Sequence, residues 1–119
     1  MLKAQNGKPY DLEDRTFLFA KRAILYFRLL SRNVSNIEIS KQGIRSTGSV
    51  GANFIEANEA FSRKDFAMRV KICRKEAKES IYWLRLSEPS NEQENERNIL
   101  IAEATELMKI FGSIIEKSK

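Results

Sequence analysis

The chain has 119 residues, of which 42% are hydrophobic, and a formal net charge of +5. This length favours a single domain with its own core, and the apolar fraction excludes an intrinsically disordered protein. One cysteine and no histidine exclude an internal disulfide and remove the commonest general base and metal ligand.

The N-terminal residues show no signal-peptide pattern, and no apolar run is long enough to span a bilayer. We therefore expect a cytoplasmic protein with no membrane segment. Residues 1–119 are predicted to form one domain, with residues 1–10 as a flexible tail. Cys73 falls within an apolar helical pattern, so we expect a buried structural thiol.

The first helix is predicted over about residues 12–32, and Asp11 is a suitable N-cap. Its apolar residues form two stripes: Phe17, Ala20, Ile24 and Phe27 on one, and Leu18, Leu25, Tyr26 and Leu29 on the other. Together the stripes cover more than half of the helix circumference. A helix that is this apolar should be covered on two sides, and one of them is a candidate subunit interface.

After a polar connection from Arg32 to Asn36, the second helix is predicted over about residues 37–60. It includes the stretch RSTGSVGAN at residues 45–53, which has two interpretations. A phosphate-binding loop is disfavoured because the glycines lack Walker spacing, no lysine follows, and a G-x-x-G clamp belongs to a domain with a sheet. A helix is favoured in which small residues allow a neighbour to approach closely.

The small residues of that helical interpretation are Gly48, Gly51 and Ala52. Each glycine within a helix costs about 1 kcal/mol relative to alanine, so close packing must offset the loss. Side chains expected to fill the space are those of Trp83, Phe54 and the phenylalanines of the first helix.

Capping boxes begin the last two helices, at Ser62 with Asp65 and at Ser90 with Gln93. The third helix is predicted to end near Ser87, before Pro89, and the fourth to continue through the apolar residues up to Ile115. Four helices with short connections and no convincing strand predict an all-α protein, an antiparallel up-down four-helix bundle.

Charged residues on the second and third helices should meet across their turn. In an antiparallel pair, Arg45 lies opposite Glu79 and Ser49 lies opposite Glu76, which predicts a partly buried ion pair of Arg45 with one of these glutamates. Paired carboxylates can serve acid/base catalysis, but no nucleophile, metal cluster or cofactor motif accompanies them. We therefore predict no enzymatic activity and no cofactor or metal.

The third helix is a candidate nucleic-acid-binding element. Residues 62–86 carry a net charge of +5, whereas residues 87–119 carry −3. No aromatic-interleaved RNA motif is recognised. The candidate binding residues share basic side chains on or near one face of the helix: Lys64, Arg69, Lys71, Arg74, Lys75, Lys78 and Arg85.

Several motifs in order resemble the bacterial four-helix-bundle family of 23S ribosomal RNA intervening-sequence proteins. The matching residues include Arg45, Ser49, Gly51, Asn53, Glu56, Asp65, Glu76, Glu79, Tyr82 and Trp83. The resemblance covers roughly residues 10–117 and implies an antiparallel four-helix bundle that forms a homopentamer, without established enzymatic activity. A related bundle is the accessory variability protein of diversity-generating retroelements, a basic pentamer that binds nucleic acid and a reverse transcriptase.

Two functional hypotheses follow. In the first, an oligomer binds RNA or DNA without sequence specificity through the basic side of the third helix. In the second, the protein is a structural or protein-interaction module with no nucleic-acid role, in which Tyr82, Trp83 and the stripes of the first helix form subunit contacts. The basic third and acidic fourth segments would then meet between neighbours in a head-to-tail ring.

Overall fold

The computed structural model describes residues 11–119, so the tail predicted over residues 1–10 lies outside the described residues. The described part contains four helices and no strand: α1 (Leu12–Arg28), α2 (Val34–Asn58), α3 (Arg63–Leu86) and α4 (Asn91–Lys117). Successive helices pack against each other, and α4 closes the bundle against α1. The predicted all-α, antiparallel up-down four-helix bundle is confirmed.

The predicted caps at Asp11, Ser62 and Ser90 are all present. The Asp11 carboxylate accepts a hydrogen bond from the Asp14 amide at 2.9 Å, and the Ser62 hydroxyl accepts one from the Asp65 amide at 3.0 Å. At α4 the Ser90 amide donates to the side-chain oxygen of Gln93 at 3.0 Å. These bonds satisfy backbone amides that the first helical turn leaves without partners.

The connection between α1 and α2 differs from the prediction. The first helix ends at Arg28 rather than near residue 32, and the second begins at Val34 rather than at residue 37. The physical reason is an N-cap that was not predicted: the side-chain oxygen of Asn33 accepts a hydrogen bond from the Asn36 amide at 2.7 Å. Asn36 is consequently a buried residue of α2 and not part of a polar connection.

The buried side of α1 also differs from both predicted stripes. Of the predicted residues only Tyr26 and Phe27 are buried, and the remaining core positions on this side are small or lie between the stripes. They are Leu12, Thr16, Phe19, Ala23 and Leu30. The exposed residues Phe17, Leu18, Leu25 and Leu29 form a surface that we call the apolar face of α1. Because α1 carries apolar side chains around most of its circumference, hydrophobicity alone does not identify the side that faces the core.

Close packing at the glycines of α2 is confirmed at one predicted position. A Cβ atom at Gly51 would lie 2.9 Å from the hydroxyl oxygen of Thr16, so α1 approaches at that level, whereas nothing lies within 4 Å at Gly48. The close neighbour at Gly51 is thus Thr16, and not Trp83, Phe54 or a phenylalanine of α1 as predicted. A second close approach was missed, since a Cβ atom at Gly43 would overlap the ring of Phe27.

Cys73 and Trp83 lie on the core side of α3. Cys73 is fully buried, as predicted, and burial raises the pKa of its thiol to about 12. Trp83 is partly buried and packs against the core. None of the helices described between residues 11 and 119 combines the length and hydropathy that crossing a membrane requires.

Candidate nucleic-acid interface

One side of α3 carries a row of exposed cations. At about 100° per residue, six of the seven candidate residues fall within roughly 100° of arc. This set, which we call the basic face, consists of Lys64, Lys71, Arg74, Lys75, Lys78 and Arg85, all of them exposed. From Lys64 to Arg85 the face extends for about 32 Å at 1.5 Å per residue. A single strand of duplex DNA contains about nine nucleotides over that length.

The seventh candidate, Arg69, belongs to a different surface. It precedes Lys71 by two residues, which rotates its side chain by about 200° away from that lysine. There it lines a hollow beside the turn between α2 and α3, together with Glu56 and Asp65. Arg69 therefore lies away from the basic face, in a hollow lined by three acidic residues, and its role in binding stays a prediction.

The basic face has no ion-pair partner in the part of the chain that the structure describes. Ion pairs among residues 11–119 engage Arg15, Arg22, Arg45 and three lysines at other sites, and none involves a residue of the basic face. Arg74 reaches toward α4, where its guanidinium lies near Gly112. The positive charge of α3 thus remains available to an external anion.

A polar seam joins α2 and α3 behind the basic face. Arg45 lies 3.3 Å from a carboxylate oxygen of Glu79 and 3.7 Å from one of Glu76, so it contacts both glutamates, where the antiparallel register predicts an ion pair with one of them. Below them, the buried hydroxyl of Ser80 donates to that of Ser46 at 3.2 Å. Arg45 is therefore the counter-charge of these two glutamates, and none of the lysines of α3 pairs with either of them.

The remaining motif residues of α2 make local contacts. The Ser49 hydroxyl donates to the carbonyl of Arg45 at 2.9 Å, and the amide of Asn53 donates to the carbonyl of Ser49 at 2.8 Å. Such bonds to carbonyls one turn earlier satisfy polar side chains within a helix. Glu56 is exposed at the hollow near Arg69. These contacts point to helix packing rather than to chemistry.

Two ion pairs connect α1 to α4. The guanidinium of Arg15 donates to Glu103 at 2.7 and 2.9 Å, and that of Arg22 donates to Glu96 at 2.8 Å. The hydrogen bond to Glu103 is the largest cause of a raised Arg15 pKa. No three acidic or cysteine side chains between residues 11 and 119 converge as a metal site.

Tyr82 was assigned to the structural motif, but the structure places it on the basic face. The tyrosine is 56% exposed, and its ring contacts that of Trp83 edge to face, with 5.0 Å between centroids. Its spacing could have revealed this position, since Tyr82 follows Lys75 by seven residues and Lys78 by four. The prediction that Tyr82 and Trp83 form subunit contacts as a pair does not separate the exposed tyrosine from the partly buried tryptophan.

Comparisons with known proteins agree with the resemblance seen in the motifs. A solved structure of a protein of unknown function from the S23 ribosomal protein family of Bacteroides thetaiotaomicron is 34% identical, with a TM-score of 0.74. The match covers 88% of this chain and 98% of that one. The search of curated proteins gives no match. The relation to the accessory variability protein remains a prediction.

The family comparison covers most of the chain. The model of the 23S rRNA-intervening sequence protein matches residues 11–113, which include all four helices up to the last turn of α4. The motif residues of α2 and α3 lie within this range. The chain therefore belongs to the 23S rRNA-intervening sequence protein family.

Proposed function

We propose that the chain is a non-enzymatic cytoplasmic protein that assembles into homo-oligomers and binds RNA or DNA without sequence specificity through the basic face. The observation that carries this proposal is the row of exposed cations on α3, none of which has an ion-pair partner among residues 11–119. Lysine and arginine in such a row attract phosphates and release condensed counterions on binding.

Self-assembly is supported by the apolar face of α1. Phe17 is 62% exposed and Leu25 is 52% exposed, and Lys21 and Arg28 lie among the apolar residues. Exposed apolar residues that cluster on one helix often mark contacts with another protein. We propose that this face packs against a second copy of the chain, in the homopentamer that the family resemblance implies.

Assembly would strengthen a weak nucleic-acid contact. Each subunit has one basic face. Once one face of an oligomer has bound a nucleic acid, the other faces are held near it at a high effective concentration. The gain requires faces that point outward or into a common channel. Affinity should therefore depend on the oligomeric state as well as on the charges of α3.

The alternative function is a structural or protein-interaction module. It is supported by the exposed glutamates of α4, among them Glu92, Glu94 and Glu106. In a head-to-tail ring these carboxylates would face the lysines of the neighbouring α3, and assembly would then bury the basic face. The two functions differ in whether Lys71, Lys75 and Lys78 hold the oligomer together or leave it unaffected.

The test is a salt titration of binding to mixed-sequence RNA and DNA, followed by fluorescence anisotropy, with the oligomer mass measured in the same buffer by light scattering. For duplex DNA we expect the logarithm of the association constant to fall with the logarithm of salt concentration at a slope of roughly −4 to −5 if one basic face makes most of its phosphate contacts.

Two triple variants localise the binding surface. Changing Lys71, Lys75 and Lys78 to glutamate should abolish binding without changing the oligomer mass. The matched control changes the exposed Lys41, Lys109 and Lys117 to glutamate, which alters the net charge equally and should retain most of the affinity. Absence of binding by a folded wild-type oligomer, or dissociation of the first variant, would favour the interaction module.

A further inference from the structure

Tyr82 occupies a central position among the cations of α3. By helical geometry it lies within about 60° of arc from Lys71, Lys75, Lys78 and Arg85. Along the axis, Lys78 is about 6 Å before it and Arg85 about 4.5 Å after it. A planar, half-exposed ring thus stands between two positive charges. That arrangement combines a base-stacking surface with phosphate partners on either side.

The ring is held by its neighbour. Tyr82 and Trp83 are in edge-to-face contact, with ring centroids 5.0 Å apart and planes at 73°. Trp83 is partly buried and packs against the hydrophobic core. Such a contact limits the motion of the tyrosine ring, so little freedom would be lost when a planar partner stacks on it.

We propose that Tyr82 stacks on an unpaired base and makes the basic face bind single-stranded nucleic acid in preference to a duplex. The inference rests on the proposed function and adds the class of ligand. In a duplex the faces of the bases are stacked inside the helix, where a side chain on a straight α-helix cannot reach them. In a single strand the bases are free to turn toward an aromatic ring while the phosphates contact lysines.

Other exposed apolar side chains of this region lie outside the basic face. Phe61 is fully exposed and Met68 is half-exposed, but both lie near the turn between α2 and α3, more than ten residues from Tyr82. Tyr82 is therefore the aromatic residue of the basic face within the part of the chain that the structure describes. A subunit contact through this ring is the competing role, and the oligomer mass distinguishes it.

The experiment measures the affinity of the full chain for a labelled 12-nucleotide RNA and for the blunt duplex of the same sequence, at one salt concentration. We expect Tyr82→Ala to weaken single-strand binding by about 5- to 100-fold, as removal of one stacking contact does. Duplex binding should change less than about twofold, and the oligomer mass should stay the same. Tyr82→Phe keeps the ring and should retain the wild-type affinity.

Phe61→Ala provides the matched control, because it removes an exposed aromatic ring outside the basic face. It should leave both affinities unchanged. A second measurement uses RNA that carries 4-thiouridine: irradiation should crosslink the peptide that contains Tyr82 and give no such adduct with Tyr82→Ala.

The outcomes separate this inference from the proposed function. If neither substrate binds the wild-type oligomer at low salt, the nucleic-acid function itself is wrong, and the stacking role falls with it. If both substrates bind in a salt-dependent way but Tyr82→Ala weakens them equally or not at all, only the stacking role is wrong. Dissociation of Tyr82→Ala would assign the ring to a subunit contact and overturn the inference.

Discussion

The side-chain amide of Asn36 and the backbone of Glu88 form a reciprocal pair of hydrogen bonds. The side-chain oxygen of Asn36 accepts a hydrogen bond from the Glu88 amide at 2.9 Å, and the side-chain nitrogen of Asn36 donates one to the Glu88 carbonyl at 3.1 Å. The same nitrogen donates to the carbonyl of Ser31 at 3.0 Å. A single buried side chain therefore joins the α1–α2 connection to the α3–α4 connection at one end of the bundle.

Replacing Asn36 with alanine should lower the free energy of unfolding by about 2–4 kcal/mol, because it leaves backbone groups near Ser31 and Glu88 without partners. Urea denaturation monitored by circular dichroism measures the change. Ser35→Ala is the control, since its side-chain bonds are exposed and its loss should be below about 0.5 kcal/mol. Equal effects of the two variants would show that water replaces the Asn36 bonds.

The glycines of α2 should respond in opposite directions to the same change. Gly51→Ala places a methyl group against Thr16 and should destabilise the bundle by about 1–3 kcal/mol. Gly48→Ala meets no atom within 4 Å and should stabilise it by up to about 1 kcal/mol, through helix propensity. Thermal melts of the two variants test this pair, and shifts of the same sign would contradict the packing described at Gly51.

The stability of the bundle should depend on the contact between Arg45 and Glu76. One carboxylate oxygen of Glu76 is buried without a hydrogen-bond partner, and the Arg45 guanidinium 3.7 Å away is its counter-charge. Arg45→Met should therefore destabilise the fold by about 1–3 kcal/mol, and adding Glu76→Gln should recover part of the loss. A double-mutant cycle with no coupling between the two positions would disprove this dependence.

How far the sequence predicts this bundle can be judged at specific residues. The caps at Asp11, Ser62 and Ser90 depend on local hydrogen bonds, and the facing of Arg45 and Glu79 depends on counting outward from one turn. Both follow from neighbours in the sequence and were predicted. Helical geometry also separates Arg69 from the basic face, because a step of two residues rotates its side chain by about 200° from Lys71.

Features that depend on distant contacts were not predicted. The role of Asn36 requires the backbone of Glu88, 52 residues away along the chain. The core side of α1 includes Thr16, which fits against Gly51, although Thr16 is less apolar than the exposed Leu25. The spacing of Tyr82 from the lysines predicts its position on the basic face. Its contact with Trp83, which packs against the core, cannot be predicted from that spacing.

The thiol of Cys73 should be unreactive in the native protein. Burial raises its pKa from 9.0 to about 12, so the folded state holds the proton that the unfolded chain releases first. Alkylation by iodoacetamide at pH 8 should be slow, and it should become fast in urea. The contribution of this group to stability should be present below about pH 9 and be lost as pH rises toward 12. Rapid native alkylation would contradict its burial.

The apolar face of α1 should determine the oligomer mass. Leu25→Glu introduces a charge into the proposed subunit contact and should lower the mass measured by light scattering while the helical content remains. Val34→Glu changes another highly exposed apolar residue, at the start of α2, and should leave the mass unchanged. If Leu25→Glu retains the full oligomer, the subunits associate through a different surface.

The contact between Thr16 and Gly51 also limits how the sequence can evolve. Because the hydroxyl of Thr16 fills the space that a side chain at position 51 would need, enlarging either residue alone should destabilise the bundle. A lineage that acquires alanine at position 51 should carry a smaller residue at position 16, and the order of the two changes matters. These positions should therefore covary among descendants of this chain, 35 residues apart in the sequence.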